Sequence, residues 1–155
     1  MKKLILILLI TMYFVTSCNS LISKTSVPQP FPSPSDMWSV KLTQSGGIAG
    51  VLKTVEVSSD GQLKAEDQRS HRSISKTLPT QTIDELHQLI FSIPAAGGRL
   101  LQSGCADCFI YDLEIHSAGK NIEIHADDTT LNGSGAQKLI STLIGLREGA
   151  LKPNP

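Results

Sequence analysis

The spacing of apolar residues predicts an α+β domain, in which an antiparallel sheet of about five to six strands, built from hairpins, carries two amphipathic helices on one face. Three observations carry that expectation. Apolar and polar residues alternate with period two in Trp38 to Thr43 and again between Phe109 and Ala126. Two later segments show helical stripes, Ile83, Leu86, Leu89, Ile90, Ile93 and Ala136, Leu139, Ile140, Leu143, Leu146. Glycine-bearing turns separate the strand segments at the short spacing that hairpins need.

The folded part is expected to begin at Met37 and to run to about residue 150, leaving 151–155 as a tail. The first strand passes into Ser45-Gly46-Gly47-Ile48-Ala49-Gly50, whose three glycines accept positive φ at little steric cost. Val51 to Ser58 is rich in β-branched residues and is expected to return as the second strand. Asp60-Gly61 signals a hairpin into Gln62 to Asp67, and the polar patch Gln68 to Ser73 turns into one more short strand through Leu78. Thr82, with Glu85 three residues on, predicts a capping box that starts the first helix, and Pro94 stops it. Ala95 to Gly104 reads as loop. A strand at Cys108 to Ser117, a strand at Asn121 to Ala126 and a helix from Ser134 through Arg147 complete the domain.

Composition narrows the partners. The 155 residues carry 14 basic and 14 acidic side chains, so there is no electrostatic footprint for nucleic acid. The chain opens with Lys2 and Lys3, an apolar run from Leu4 to Val15, and Val15-Thr16-Ser17-Cys18. A charged start, an apolar run and small residues form a secretory leader. With the cysteine added, this segment resembles the lipobox of bacterial lipoproteins. That resemblance implies cleavage of residues 1–17, diacylglyceryl modification and acylation at Cys18, and attachment to a lipid bilayer on an extracytoplasmic face of the cell envelope. Asn19 to Asp36 holds four prolines among serines and polar residues, and is expected to be an extended tether between the acylated cysteine and the domain.

The register of the second hairpin decides what its histidines can do. An even loop at Ser117-Ala118-Gly119-Lys120 pairs Ile115 with Ile122 and Leu113 with Ile124, and leaves Asp112, Glu114, His116, Glu123 and His125 on the opposite face. His116 then faces Asn121 and His125 faces Asp112, which places the two histidines about 13 Å apart. They are too far apart to share a zinc. A solvated sheet face, with Asp112 and His125 as a cross-strand pair, is the reading preferred to a metal site.

Cys105-Ala106-Asp107-Cys108 is the other constellation that could carry chemistry. A redox pair of the thioredoxin kind opens a helix, whereas this one runs into a strand. A zinc site needs a second pair of ligands. A local disulfide between Cys105 and Cys108 is the preferred reading in an exported chain, with the redox and metal readings kept open beside it. His71 lies in a polar turn and His87 on the outer side of the first helix. No serine sits in a strand-to-helix elbow and no phosphate loop occurs, so the chain reads as a non-enzyme with no cofactor and no metal.

Taken together, the strand leading into Ser45-Gly46-Gly47-Ile48-Ala49-Gly50, the striped helix, then Asp107, Phe109, Tyr111, Leu113, Asp127-Asp128 and a leucine-rich final helix resemble the emfourin-like domain from Trp38 to Arg147. The lipobox, the tether and the cysteine pair are additions to that pattern. The resemblance implies a protein inhibitor of protealysin-like zinc metallopeptidases of the thermolysin family. Such enzymes favour a large apolar residue just after the scissile bond, which implies Ser45 to Gly50, with Ile48 at its centre, as the protease contact. Two readings of the loop stand. In the weightier one Gly46, Gly47 and Gly50 serve the turn and Ile48 folds back onto the core; in the other Ile48 is presented to the protease. The alternative function is a non-catalytic envelope lipoprotein that acts as a structural or binding module without a protease target.

Overall fold

The structure, a computed structural model, describes residues 37–93, 105–117 and 120–152. The leader, Cys18 and the tether up to residue 36, the loop expected at 95–104 and the centre of the turn at 118–119 lie outside the described residues.

The described chain is an α+β domain in the order β1 (Trp38–Gly46), β2 (Val51–Ser58), β3 (Gln62–Asp67), β4 (Arg72–Thr77), α1 (Thr80–Phe91), β5 (Phe109–Ser117), β6 (Lys120–Asp127), a single 3-10 turn (Leu131–Gly133) and α2 (Gln137–Leu151). The six strands form one antiparallel sheet in the order β4-β3-β2-β1-β5-β6. β1 is central because its inward residues Trp38, Val40, Leu42 and Gln44 can all be buried at once. Val55 and Val57, Leu63 and Ala65, Tyr111, Leu113 and Ile115, and Ile124 and Ala126 extend that face across the neighbouring strands. α1 adds Leu86 and Ile90, and α2 adds Leu139, Ile140 and Leu143, to the same core cluster. Each fully buried leucine of this layer contributes about 2 kcal/mol of transfer free energy.

The second hairpin has the register that an even loop dictates. Ile115 faces Ile122, Leu113 faces Ile124, His116 faces Asn121 and Asp112 faces His125. On the open face the strands carry Lys64, Glu56, Lys41, Glu114 and Glu123 in one row across five strands, so unlike charges stand opposite one another up to the last pair. Lys41 Nζ lies 3.3 Å from Glu114 Oε1, with both side chains well exposed, so the pair contributes little. The hairpin at Asp60-Gly61 closes through Gly61 at φ +87° and an Asp60 carboxylate that accepts from Ser58 Oγ and the Gln62 amide. Those bonds, Ser58 first, hold its pKa below the ordinary aspartate value.

Several boundaries differ from the sequence expectations, for physical reasons. α1 starts at Thr80 behind Pro79 rather than at Thr82, because proline pre-sets the extended residue before a helix. No capping box forms, since the Glu85 carboxylate accepts from Gln81 Nε2 one turn back. β4 ends at Thr77, and Leu78 instead buries itself while its amide bonds Gly61. The weak alternation of β4 reflects its place at the sheet edge, where Ile74 faces the core beside Ala65 yet stays 36% exposed. β5 begins at Phe109, one residue after Cys108, and β6 extends the expected strand by one residue at each end. α2 begins at Gln137, after a 3-10 turn, and continues to Leu151. Leu151 is buried, so residue 151 belongs to the helix and not to a tail. Leu146 only borders the core, and the stripe that begins at Ala136 continues through Arg147, which is 1% exposed.

Candidate functional site

Among the described residues, one end of the sheet gathers the Ser45 to Gly50 loop, the cysteine pair and Asp127-Asp128. Register places it there: Gly46 pairs with Val51 on one side and Phe109 on the other, Ile110 pairs with Asp127, and Lys53 pairs with Asp67. The turn between β1 and β2, the turn between β3 and β4, the Cys105 to Cys108 segment and the turn after β6 therefore share this end.

The Ser45 to Gly50 loop is a tight projection with a fixed base. Gly46, Gly47 and Gly50 take φ of +89°, +68° and +58°, a region costly for residues with a Cβ. Steric room is short at two of them as well. A Cβ on Gly46 would lie 2.7 Å from the Cys108 carbonyl oxygen, and one on Gly47 would lie 2.6 Å from the Phe109 ring. The Gly47 amide donates to that same Cys108 oxygen at 3.1 Å, and the Gly50 amide closes the turn on Gly47 O at 2.9 Å. From the neighbouring turn Arg69 Nη1 donates to Ala49 O. Ile48 does not fold back onto the core: it is 91% exposed, the most exposed of the large apolar side chains among the described residues. The Phe109 ring lies against Gly47, where a Cβ on that residue would stand.

Cys105 and Cys108 are joined as a disulfide with Cα atoms 5.5 Å apart. Their four-residue loop leads straight into β5, so the cross-link sets the backbone that receives Gly47.

Beneath the loop lies a buried polar layer that the sequence reading did not find. Gln44, on the last inward position of β1, is 8% exposed and accepts from Arg147 Nη2 at 2.5 Å. Arg147 Nε and Nη2 also reach Glu148 Oε1 at 3.2 and 3.0 Å, and Lys53 Nζ meets the same carboxylate at 3.1 Å. Burial pushes the Glu148 pKa up, but the bonds from Lys53 and Arg147 outweigh it and leave it below the ordinary glutamate value. Its contribution to stability is therefore present above that ordinary value and is lost as pH falls through the folded one. Across from Gln44, Tyr111 Oη donates to Asp128 Oδ1 at 2.8 Å, while Asp128 Oδ2 accepts the Phe109 amide at 2.8 Å. Asp127 is 3% exposed and gathers the amides and hydroxyls of Thr129 and Thr130, which turns the chain sharply after β6. The only hint of this layer in the sequence is an arginine and a glutamine standing where each periodic stripe called for an apolar side chain.

Burial pushes the Tyr111 phenol up to about 12, with the hydrogen bond to the Asp128 carboxylate acting in the same direction. A pKa raised on folding means that the tyrosine supports the fold fully below its unfolded value of about 10 and withdraws that support as pH rises toward about 12. Beyond Met37 the chain has no other tyrosine. Tyrosinate absorbance of residues 37–155 is expected to show a midpoint well above 10 in the folded state, which falls to the ordinary value in urea. A folded-state midpoint at the ordinary value would contradict the buried hydroxyl.

The histidines are not brought together. His116 Nδ1 lies 2.8 Å from Asn121 Oδ1, His125 Nδ1 contacts Asp112, His71 sits exposed at φ +52° in the turn before β4, and the His87 ring packs 4.4 Å from Phe91. Among the described residues no three His, Cys, Asp or Glu side chains converge on a point that could hold a metal ion. No described helix is long and apolar enough to cross a membrane. The arrangement presents one large apolar side chain, Ile48, to solvent on a hydrogen-bonded turn. No protein-family model matches the chain, and no curated protein matches it.

Proposed function

We propose that the domain is a protein inhibitor of thermolysin-family zinc metallopeptidases, held by lipid on Cys18 at an extracytoplasmic surface of the cell envelope. The observation that supports this reading is Ile48, 91% exposed on a turn whose base is fixed by Gly46, Gly47 and Cys108. An apolar side chain left in water gains free energy by entering an apolar pocket, and a turn already ordered loses little entropy on docking. Thermolysin-like enzymes offer such a pocket just beyond the scissile bond. The sequence resemblance to emfourin-like domains points to the same class of enzyme.

The test is hydrolysis of a peptide substrate by a thermolysin-family enzyme in the presence of residues 37–155. Inhibition with a constant of about 1 μM or tighter is expected for an apolar anchor of this kind on a standard-sized interface. Full activity at saturating domain concentration would leave the alternative, an envelope binding module without a protease target. The anchoring half is tested apart: Cys18→Ala is expected to leave an uncleaved precursor or to shift the protein out of the detergent phase. Unchanged processing and partitioning would refute lipid attachment at Cys18.

A further inference from the structure

We propose that the Cys105–Cys108 disulfide is a redox-addressable site that controls the stiffness of the Ile48 turn; its consequence for binding, though not the local coupling, rests on the inhibitor reading. The coupling is a chain of direct contacts. The disulfide closes a loop of four residues, the last of which supplies the carbonyl that accepts the Gly47 amide at 3.1 Å. The next residue, Phe109, lies with its ring against Gly47 and is held through its own amide by Asp128. The base of the turn thus leans on a segment whose other end is fixed by the cross-link. Opening the disulfide releases the Cys105 end and lets the Cys108 carbonyl move, because a four-residue ring restricts the backbone far more than an open chain does.

The site is reachable. Cys105, Ala106 and Asp107 are exposed and Cys108 is half-buried, so an incoming thiolate meets Cys105 Sγ first. The reductant is a dithiol, as in thiol–disulfide oxidoreductases. Its thiolate attacks Cys105 Sγ, the sulfur–sulfur bond breaks, and Cys108 leaves as a thiolate that takes up a proton. The second thiol of the reductant then displaces Cys105, so that two electrons and two protons pass to the cysteines and the dithiol becomes a disulfide.

Amide hydrogen exchange on the full chain, oxidised and after treatment with dithiothreitol, decides the matter, with Cys105→Ser/Cys108→Ser as a chemically fixed open form. Reduction is expected to speed exchange at Gly47 by about tenfold or more while Val40 and Leu42 in β1 keep their protection. Unchanged Gly47 exchange overturns the proposal. Equal loss of protection at Val40 and Leu42 also overturns it, since the disulfide would then be a staple of the whole domain. Two free thiols in the untreated protein overturn it as well. If the double variant fails to fold, the reduced wild-type chain still gives the result. An oxidised domain that inhibits no thermolysin-family enzyme defeats the proposed function, whereas the Gly47 measurement judges the coupling by itself.

Discussion

Replacing Ile48 with aspartate is expected to weaken inhibition by about 100-fold or more while leaving the domain as stable as the parent. The side chain is 91% exposed, so a charge there loses no solvation in the free protein and removes no core contact. In a complex the same carboxylate would have to enter an apolar pocket without a partner. Losses of that size are usual for the central anchor of an interface. Ile48→Val, which keeps an apolar branched side chain, is expected to lose far less. Inhibition constants and denaturation midpoints of both variants provide the check. Unaltered inhibition by the aspartate variant would move the contact away from this loop. A drop in stability of several kcal/mol would instead show that Ile48 packs against something in solution.

Arg147→Ala is expected to destabilise the domain by about 3 kcal/mol or more, the largest effect of any single polar side chain here. Arg147 is 1% exposed, and its stem occupies a core position of α2 one turn beyond Leu143. Truncation opens a cavity, takes the Arg147 donor from Gln44 Oε1 and removes both bonds to Glu148. The arginine is not an ideal occupant, since Nη1 has no partner among the described residues. Arg147→Met, which fills the space without the charge, is therefore expected to recover much of the loss. Urea unfolding followed through Trp38, the single tryptophan, measures both. An alanine variant within about 0.5 kcal/mol of the parent would mean that the layer under the loop has no energetic weight.

The fold class, the hairpin partners and the inward faces were legible in the sequence because they depend on local period. Phe109 to Ala126 shows this most clearly. Once Ser117 to Lys120 is taken as an even loop, the alternation of Leu113, Ile115, Ile122 and Ile124 leaves a single register that puts them all on one face. From that register alone the two histidines fall on separate rows. The stripe of α1 was equally plain. Its start was not, because Thr82 and Glu85 match a capping box while the helix begins at Thr80, behind Pro79 in extended conformation.

Tertiary structure alone decided the orientation of Ile48. A run of glycines permits a turn that folds inward or outward, and the sequence favoured inward because apolar side chains avoid water. The base of the turn is set by residues distant in the chain, the Cys108 carbonyl that accepts the Gly47 amide and the Phe109 ring against Gly47. Arg147 escaped notice for a related reason. An arginine near the end of an amphipathic helix reads as solvent-facing, and only the pairing of β1 with β5, which sets Gln44 beside Tyr111, creates a polar layer able to receive it. Local patterns therefore determined which faces are apolar, since that follows from side-chain spacing along one strand or helix. Which polar groups those faces bury depends on contacts between residues 44, 111, 128 and 147, and no spacing within a single element records them.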